Sequence, residues 1–372
     1  MADYFVSLTI WAAVYSLFAL GLNLQWGFAG LINFGHVAFM TLGAYTTALL
    51  TLQGVPLILA VLAGMTIAAG LGLLIGISTL RLREDYLAIV TIGGSELIRL
   101  IVLNEEQITK GAFGIQRYPL PLDITPNPLE KILLILVFTI VSIYALWQLW
   151  KSIQREWQDS ENIVGKSYKP RSQKTLLICG ILTAIVIIAL YLNGIISLAE
   201  YDYKDGLMVF VLVVLAIIYS ALEFLGHSPW GRILKAIRED ETIPKVLGKN
   251  VFWYKLQAFM LGGAIAGLAG SFFAWQLTTI YPTNFEPILT FTAWIIVILG
   301  GSGSNAGTLL GAIIYWTYDS LTRFALPLLP FFTNDSQLGS FRIMVIGLIL
   351  MILMRSRPQG ILGKKEELTL GR

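Results

Sequence analysis

Apolar runs long enough to cross a bilayer as helices recur along the chain, at about 5–25, 36–53, 56–79, 86–103, 131–150, 176–196, 206–225, 256–279, 287–300, 306–326 and 340–355. Within each run the apolar residues are continuous, not alternating, which predicts helices and not the strands of a membrane barrel. A helix needs about 20 mostly apolar residues to span the hydrocarbon layer. The pattern therefore predicts an all-α, polytopic transmembrane bundle of ten or eleven spans, organised as one membrane domain over 1–372. The count turns on GLNLQWGFAGLINFGHVAFMTLGAY, where glycines and polar residues break the apolar run. That stretch reads as a discontinuous span or a re-entrant element. Such backbone survives at membrane depth only when protein covers it or it lines a cavity.

Lysine and arginine in short loops set the orientation of a membrane protein. Segment 151–175 carries six of them, Lys151, Arg155, Lys166, Lys169, Arg171 and Lys174. Segment 228–255 carries another six, Arg232, Lys235, Arg238, Lys245, Lys249 and Lys255. Arg81 and Arg83 follow the third run, and Arg355, Arg357, Lys364, Lys365 and Arg372 lie at the end. All four regions are expected in the cytoplasm, with 151–175 a polar loop. AEYDYKDG and FFTNDSQLGS, poor in bases, are expected outside. Eleven spans would put the N-terminus outside, and ten would put it inside. MADYFVSL, with Asp3 in place of a basic region, reads as the start of a first span and not as a removed signal.

The polar interruption SPWGRILKAIREDETIPKVLG has helix-forming character of its own. Ile233, Ala236 and Ile237 share a face, while Arg232, Lys235, Arg238 and Glu239 cover the rest. Pro244 limits the helix and Gly248 breaks it. The pattern predicts a short amphipathic cytoplasmic helix within 228–250. Its stripe must be covered by this chain, by lipid or by another protein.

Composition agrees with the runs. Hydrophobic residues make up 56% and charged residues 13% of the 372, against about a quarter charged in soluble domains. The formal net charge of +3 gives no reason to expect nucleic acid. A single cysteine, Cys179, rules out an intramolecular disulfide and a thiolate metal cluster. His36 and His227 stand far apart, without metal-ligand spacing. There is no GxxxxGK[ST] phosphate loop, so no ATP site of the chain's own is expected.

Several motifs together resemble the permease subunits of bacterial branched-chain amino acid ABC transporters, the LivM type. They are GFAGLINFGHVAFMTLGAY, RLREDYLAIVTIGGSELIRLI followed by TKGAFGI, GRILKAIREDETIPKVLG through AFMLGGAIAGLAG, ILGGSGSNAGTLLGA and RPQGILG. They stand in the family's order and leave out only the region around 140–200. The sequence departs at Ile243, Pro244 and Lys245, where the family has small residues, and at Lys110, where it has glycine.

The resemblance implies a bacterial inner-membrane subunit without catalysis or cofactor. It would work with a second permease, two cytoplasmic ATPases that use the ATP, and an external solute-binding protein. It implies that the 228–250 segment docks an ATPase, with Arg232, Lys235, Ile237, Arg238, Glu239 and Asp240 as the docking residues. The cargo would be neutral or branched-chain amino acids, with urea or short amides as the alternative. An ion-coupled secondary transporter, and an intramembrane enzyme using His36 as base, are the competing classes.

Two further groups are singled out. Glycines in GGSGSNAGTLLGA permit close helix approach or a broken helix beside a solute. Asn33, His36, Ser302, Ser304 and Asn305 are thus candidates for the translocation path or its gating. Charged residues inside spans cost ~2.5–3.5 kcal/mol each on insertion scales. Glu96 with Arg99, and Asp319 with Arg323, have helical spacing for structural pairs.

Overall fold

The computed structural model describes residues 2–80, 84–123, 126–162, 173–325, 335–356 and 359–363. Arg81, Arg83, Arg357, Lys364, Lys365 and Arg372 lie outside them, as does 163–172. The architecture is helical. Helix α1 (Ala2–Leu22) runs without interruption into a π-helical turn, Asn23–Phe28. Then follow α2 (Val37–Leu52), α3 (Leu57–Thr79), α4 (Glu84–Asn104) and the short α5 (Glu106–Thr109). A two-residue strand β1 (Ile115–Gln116) precedes α6 (Pro128–Asn162), α7 (Gln173–Glu200) and α8 (Tyr203–His227). Beyond them come α9 (Pro229–Glu239), α10 (Thr242–Val246), α11 (Val251–Leu277) and strand β2 (Thr279–Ile280). Helices α12 (Ile288–Gly300), α13 (Asn305–Ala325) and α14 (Asp335–Ser356) end the helical part.

Among the described residues, eight helical segments are long and apolar enough to cross a membrane. Val37–Leu52 and Thr183–Leu198 are apolar but shorter. The chain is a multi-pass helical membrane protein.

Its contacts divide it into two compact units. One comprises Met1–Ile10 with Leu122–Ile217, the other Trp11–Pro121 with Ile218–Arg372. In the smaller unit α6 packs on α7. The Phe138 and Tyr191 rings lie 5.5 Å apart, and the Thr139 and Tyr191 hydroxyls 3.0 Å apart. The outer faces of both helices are apolar and exposed, as at Leu129, Ile132, Ile185 and Ile196. The loop expected at 151–175 is instead helical up to Asn162 and again from Gln173. KSIQREWQDSEN has neither proline nor glycine, so nothing stops the helix at the apolar boundary.

The larger unit is built around α11, which packs on α2 and α3. Helix α3 turns a stripe of small residues inward: Ala60, Gly64, Ala68, Gly72 and Gly76. That four-residue repeat lets backbones approach closely where lipid gives no hydrophobic drive between helices. Glycine is required at Gly43, since a Cβ there would overlap the Gly267 carbonyl of α11.

Directions follow from the pairings along α11. Trp11 meets Phe273 edge to face, a Cβ on Gly21 would touch Gly262 and Ala266, and Gln25 bonds the Phe259 carbonyl. Helix α1 is therefore antiparallel to α11. Phe39 meets Phe259, and the Thr47 and Ser271 hydroxyls lie 2.7 Å apart, so α2 is parallel to α11 and starts well inside its length. The chain thus descends in α1, turns near the face that carries α9, and climbs again in α2.

Candidate functional site: the helix break and the short amphipathic helix

Between α1 and α2, residues 29–36 are non-helical or turn, and several of the backbone groups freed there bond within the protein. The Phe34 amide donates to Thr91 Oγ1 at 3.2 Å and the Val37 amide to Thr290 Oγ1 at 2.9 Å. The Asn33 carbonyl accepts from Trp294 Nε1 at 3.0 Å. The Asn33 side chain donates to Gln25 Oε1 at 2.8 Å and accepts from the Gly35 amide at 2.9 Å. His36 is fully buried, with Nε2 3.1 Å from the Phe18 carbonyl and Nδ1 3.4 Å from Asn33 Nδ2. Facing a carbonyl, Nε2 carries the proton; facing an amide NH2, Nδ1 accepts. Both ring nitrogens are thereby used inside the fold.

The glycine-rich connection between α12 and α13 forms a second polar node. Gly301 and Gly303 have φ of 119° and 77°, conformations that favour glycine. The Gly303 amide donates to Asn23 Oδ1 at 2.9 Å, and Asn23 Nδ2 donates to Asn305 Oδ1 at 3.2 Å. Asn305 Nδ2 in turn donates to Glu223 Oε2 at 3.3 Å. Ser304 Oγ accepts from the Gly307 amide at 3.0 Å and so starts α13, while Ser302 is half-buried in the turn. The RPQGILG segment lies against the same turn. Ile361 and Leu362 donate their amides to the carbonyls of Leu299 and Gly300, at 3.0 and 2.7 Å. Asn33 and His36 therefore belong to one cluster and Asn305 to another. The residues joining them, Asn23 and Gln25, stand out in the sequence only as polar letters in an apolar run.

Helix α9 begins because Ser228 Oγ accepts from the Gly231 amide and Pro229 occupies the first turn, where a missing N–H costs nothing. Its buried stripe is Gly231, Leu234 and Ile237. Ile237 is only 2% exposed and packs inward. Of the stripe expected on Ile233, Ala236 and Ile237, Ile237 is buried, while Gly231 and Leu234 take the other inward places and Ile233 and Ala236 are half-buried. On an eleven-residue helix carrying Ile233, Leu234, Ala236 and Ile237, tertiary packing decides between two overlapping stripes. Arg238 also turns inward, donating through a guanidinium nitrogen to the Gly27 carbonyl and pairing with Glu239 at 2.8 Å. Lys235 Nζ sits 5.2 Å from the Phe28 ring centroid. Arg232 and Asp240 are exposed. Asp240 accepts from the Thr242 hydroxyl and amide, which holds its carboxyl below the usual range. Just beyond, Ile243, Val246 and Leu247 are 57%, 87% and 71% exposed.

The two pairs expected from helical spacing form. Glu96 bonds Arg99 through two contacts of 2.5 and 2.9 Å. Asp319 bonds Arg323 at 2.8 Å and lies 3.6 Å from Arg342, a third member supplied by α14.

Comparison with known proteins matches residues 4–154 and 161–354 to the family described as branched-chain amino acid transport system, permease component. The chain is 30% identical over 359 residues to the high-affinity branched-chain amino acid transport system permease protein LivM of Salmonella typhimurium, covering 96% of this chain and 69% of that protein. To LivM of Escherichia coli it is 29% identical over 350 residues, 94% and 68% of the two chains. To the probable LivM of Methanocaldococcus jannaschii it is 22% identical over 381 residues, covering 99% of this chain and 95% of that one. No solved structure matches.

Proposed function

The chain belongs to the permease-component family of branched-chain amino acid transport systems, and from that premise we propose that it is the membrane subunit of an ATP-driven importer of branched-chain or other neutral amino acids. It works beside a second permease, is fed by an external solute-binding protein, and is driven by two ATPases on the cytoplasmic side of a bacterial inner membrane. The observation that carries this reading is α9. A short helix with its apolar stripe inside the protein offers its charged edge to solvent, on a segment rich in Lys and Arg. Arg232, Asp240 and the edges of Lys235 and Glu239, with exposed Ile243, Val246 and Leu247 beside them, form the face to which an ATPase docks. The solute passes beside the break at Asn33 and His36 and the turn at Ser302, Ser304 and Asn305. The reading takes eleven crossings, which is supported by α1 running antiparallel to α11 from Trp11 onward.

The test is co-expression with a second permease and the ATPases, purification, and reconstitution into vesicles with a solute-binding protein present. Leucine uptake that requires ATP and survives collapse of ion gradients is expected. Uptake that follows an ion gradient at constant ATP would overturn the proposal in favour of a secondary transporter. Arg232→Glu with Asp240→Lys is expected to reduce co-purified ATPase at least fivefold while leaving the thermal midpoint within a few degrees.

A further inference from the structure

We propose that Arg238 is a positioning residue that couples α9 to the translocation path through the π-helical turn Asn23–Phe28, and is not itself a contact for the ATPase. The inference rests on the transport reading above and deepens it.

The π-helical turn is where three parts of the larger unit meet. From α9, the Arg238 guanidinium reaches the Gly27 carbonyl, and its stem packs on Gly30 at 3.2 Å from a would-be Cβ. From the glycine-rich connection, Gly303 and Asn305 bond the Asn23 side chain. From the break, Asn33 bonds Gln25, and Gln25 in turn bonds the Phe259 carbonyl of α11. A π-helical turn frees carbonyls that a regular helix would use, and such turns recur at functional sites. Here the Gly27 carbonyl is taken by a cation from a separate helix, 211 positions away in sequence. Gly27 is also required for close approach, since a Cβ would overlap the Gly303 backbone. A displacement of α9 therefore pulls on the turn through Arg238. The turn cannot move without shifting Asn23 against Gly303 and Gln25 against Asn33. Coupling between sites travels through such contiguous contacts only if the linking element biases both ends.

The experiment uses the complete transporter in vesicles, with radiolabelled leucine and ATP, comparing wild type with Arg238→Lys, Asn23→Ala and the double variant. Arg238→Lys keeps the charge and loses the planar fork. Asn23→Ala acts from the far side of the turn and leaves α9 unaltered. The readouts are ATPase co-purified per permease and leucine imported per ATP hydrolysed. Both single variants are expected to retain the ATPase at the wild-type ratio while leucine per ATP falls at least tenfold. The double variant is expected to be no worse than the weaker single one, because both interrupt one path. Arg238→Lys coupled within twofold of wild type overturns the inference, as does loss of the ATPase from that variant or a multiplicative loss in the double variant. A wild-type complex that imports no leucine with ATP overturns the function itself, an outcome distinct from a transporting wild type with fully coupled variants.

Discussion

At the scale of single residues, the polar groups inside this protein are arranged to satisfy the backbone where helices are interrupted. Asn33 illustrates the energetics. Its side chain serves Gln25 and the Gly35 amide, and its carbonyl serves Trp294, all without access to water. Leaving a buried donor or acceptor without a partner costs about 1–3 kcal/mol. Asn33→Ala strands Gln25 Oε1 and the Gly35 amide together, so thermal unfolding of the purified protein in detergent should show a loss at the upper end of that range. Asn33→Asp, which keeps the acceptor for Gly35, should lose less if its carboxyl is protonated. Equal midpoints for wild type and Asn33→Ala would mean that the network carries no stability. Asn33, His36 and Asn305 were visible in the sequence because a polar residue in an apolar run needs a reason. Their partners were not visible, since Asn23 and Asn305 lie 282 positions apart and no local period connects them.

Elements add electrostatics that single residues lack. Helices α10 and α11 are tied by Glu241, which pairs with the largely buried Lys255 and, at 3.2 Å, with Lys245. Burial by itself raises the Glu241 carboxyl, but hydrogen bonds and charge from Lys255 and Lys245 outweigh it and leave the group below the ordinary glutamate range. A carboxyl depressed in the folded state adds stability above its unfolded value, about 4.3, and that stability disappears as pH falls through the folded value. The wild-type thermal midpoint should therefore drop as the medium is acidified below about pH 4.3, the unfolded value. Glu241→Gln should be less stable than wild type at pH 7, and the gap should narrow on acidification. A gap that stays constant when the pH is taken from 7 to well below 4.3 would show that the pairs do not govern this junction. The helix before it, α9, was legible in outline from its charge pattern and its proline. Its inward face was not, because overlapping apolar stripes are resolved only by what the helix packs against. The same holds for the small-residue stripe of α3, whose four-residue spacing is plain in the sequence but acquires meaning only once α11 lies across it.

For the whole molecule, the sequence pattern located the helices well because lipid demands long uninterrupted runs. It does not show the division into two units, which depends on which helices pack together. It also left the side of the N-terminus open, since GLNLQWGFAGLINFGH can be counted as part of one crossing or as the junction of two. The helix directions support the proposed eleven crossings. From Trp11 onward α1 is antiparallel to α11 and α2 is parallel to it, so the chain descends and returns over these residues. On the proposed cytoplasmic placement of the α9 segment, which its positive residues support, residue 3 and the turn at Gly54 should both face outward. Cys179 is the single native cysteine, and Cys179→Ser supplies a background for labelling. In intact cells from which the outer barrier has been removed, a membrane-impermeant maleimide should modify Asp3→Cys and Gly54→Cys. It should modify Lys249→Cys only after permeabilisation. Protection of Asp3→Cys together with labelling of Gly54→Cys would mean that α1 and α2 make one crossing. The antiparallel packing of α1 on α11 would then be wrong, and with it the route by which Arg238 reaches the break.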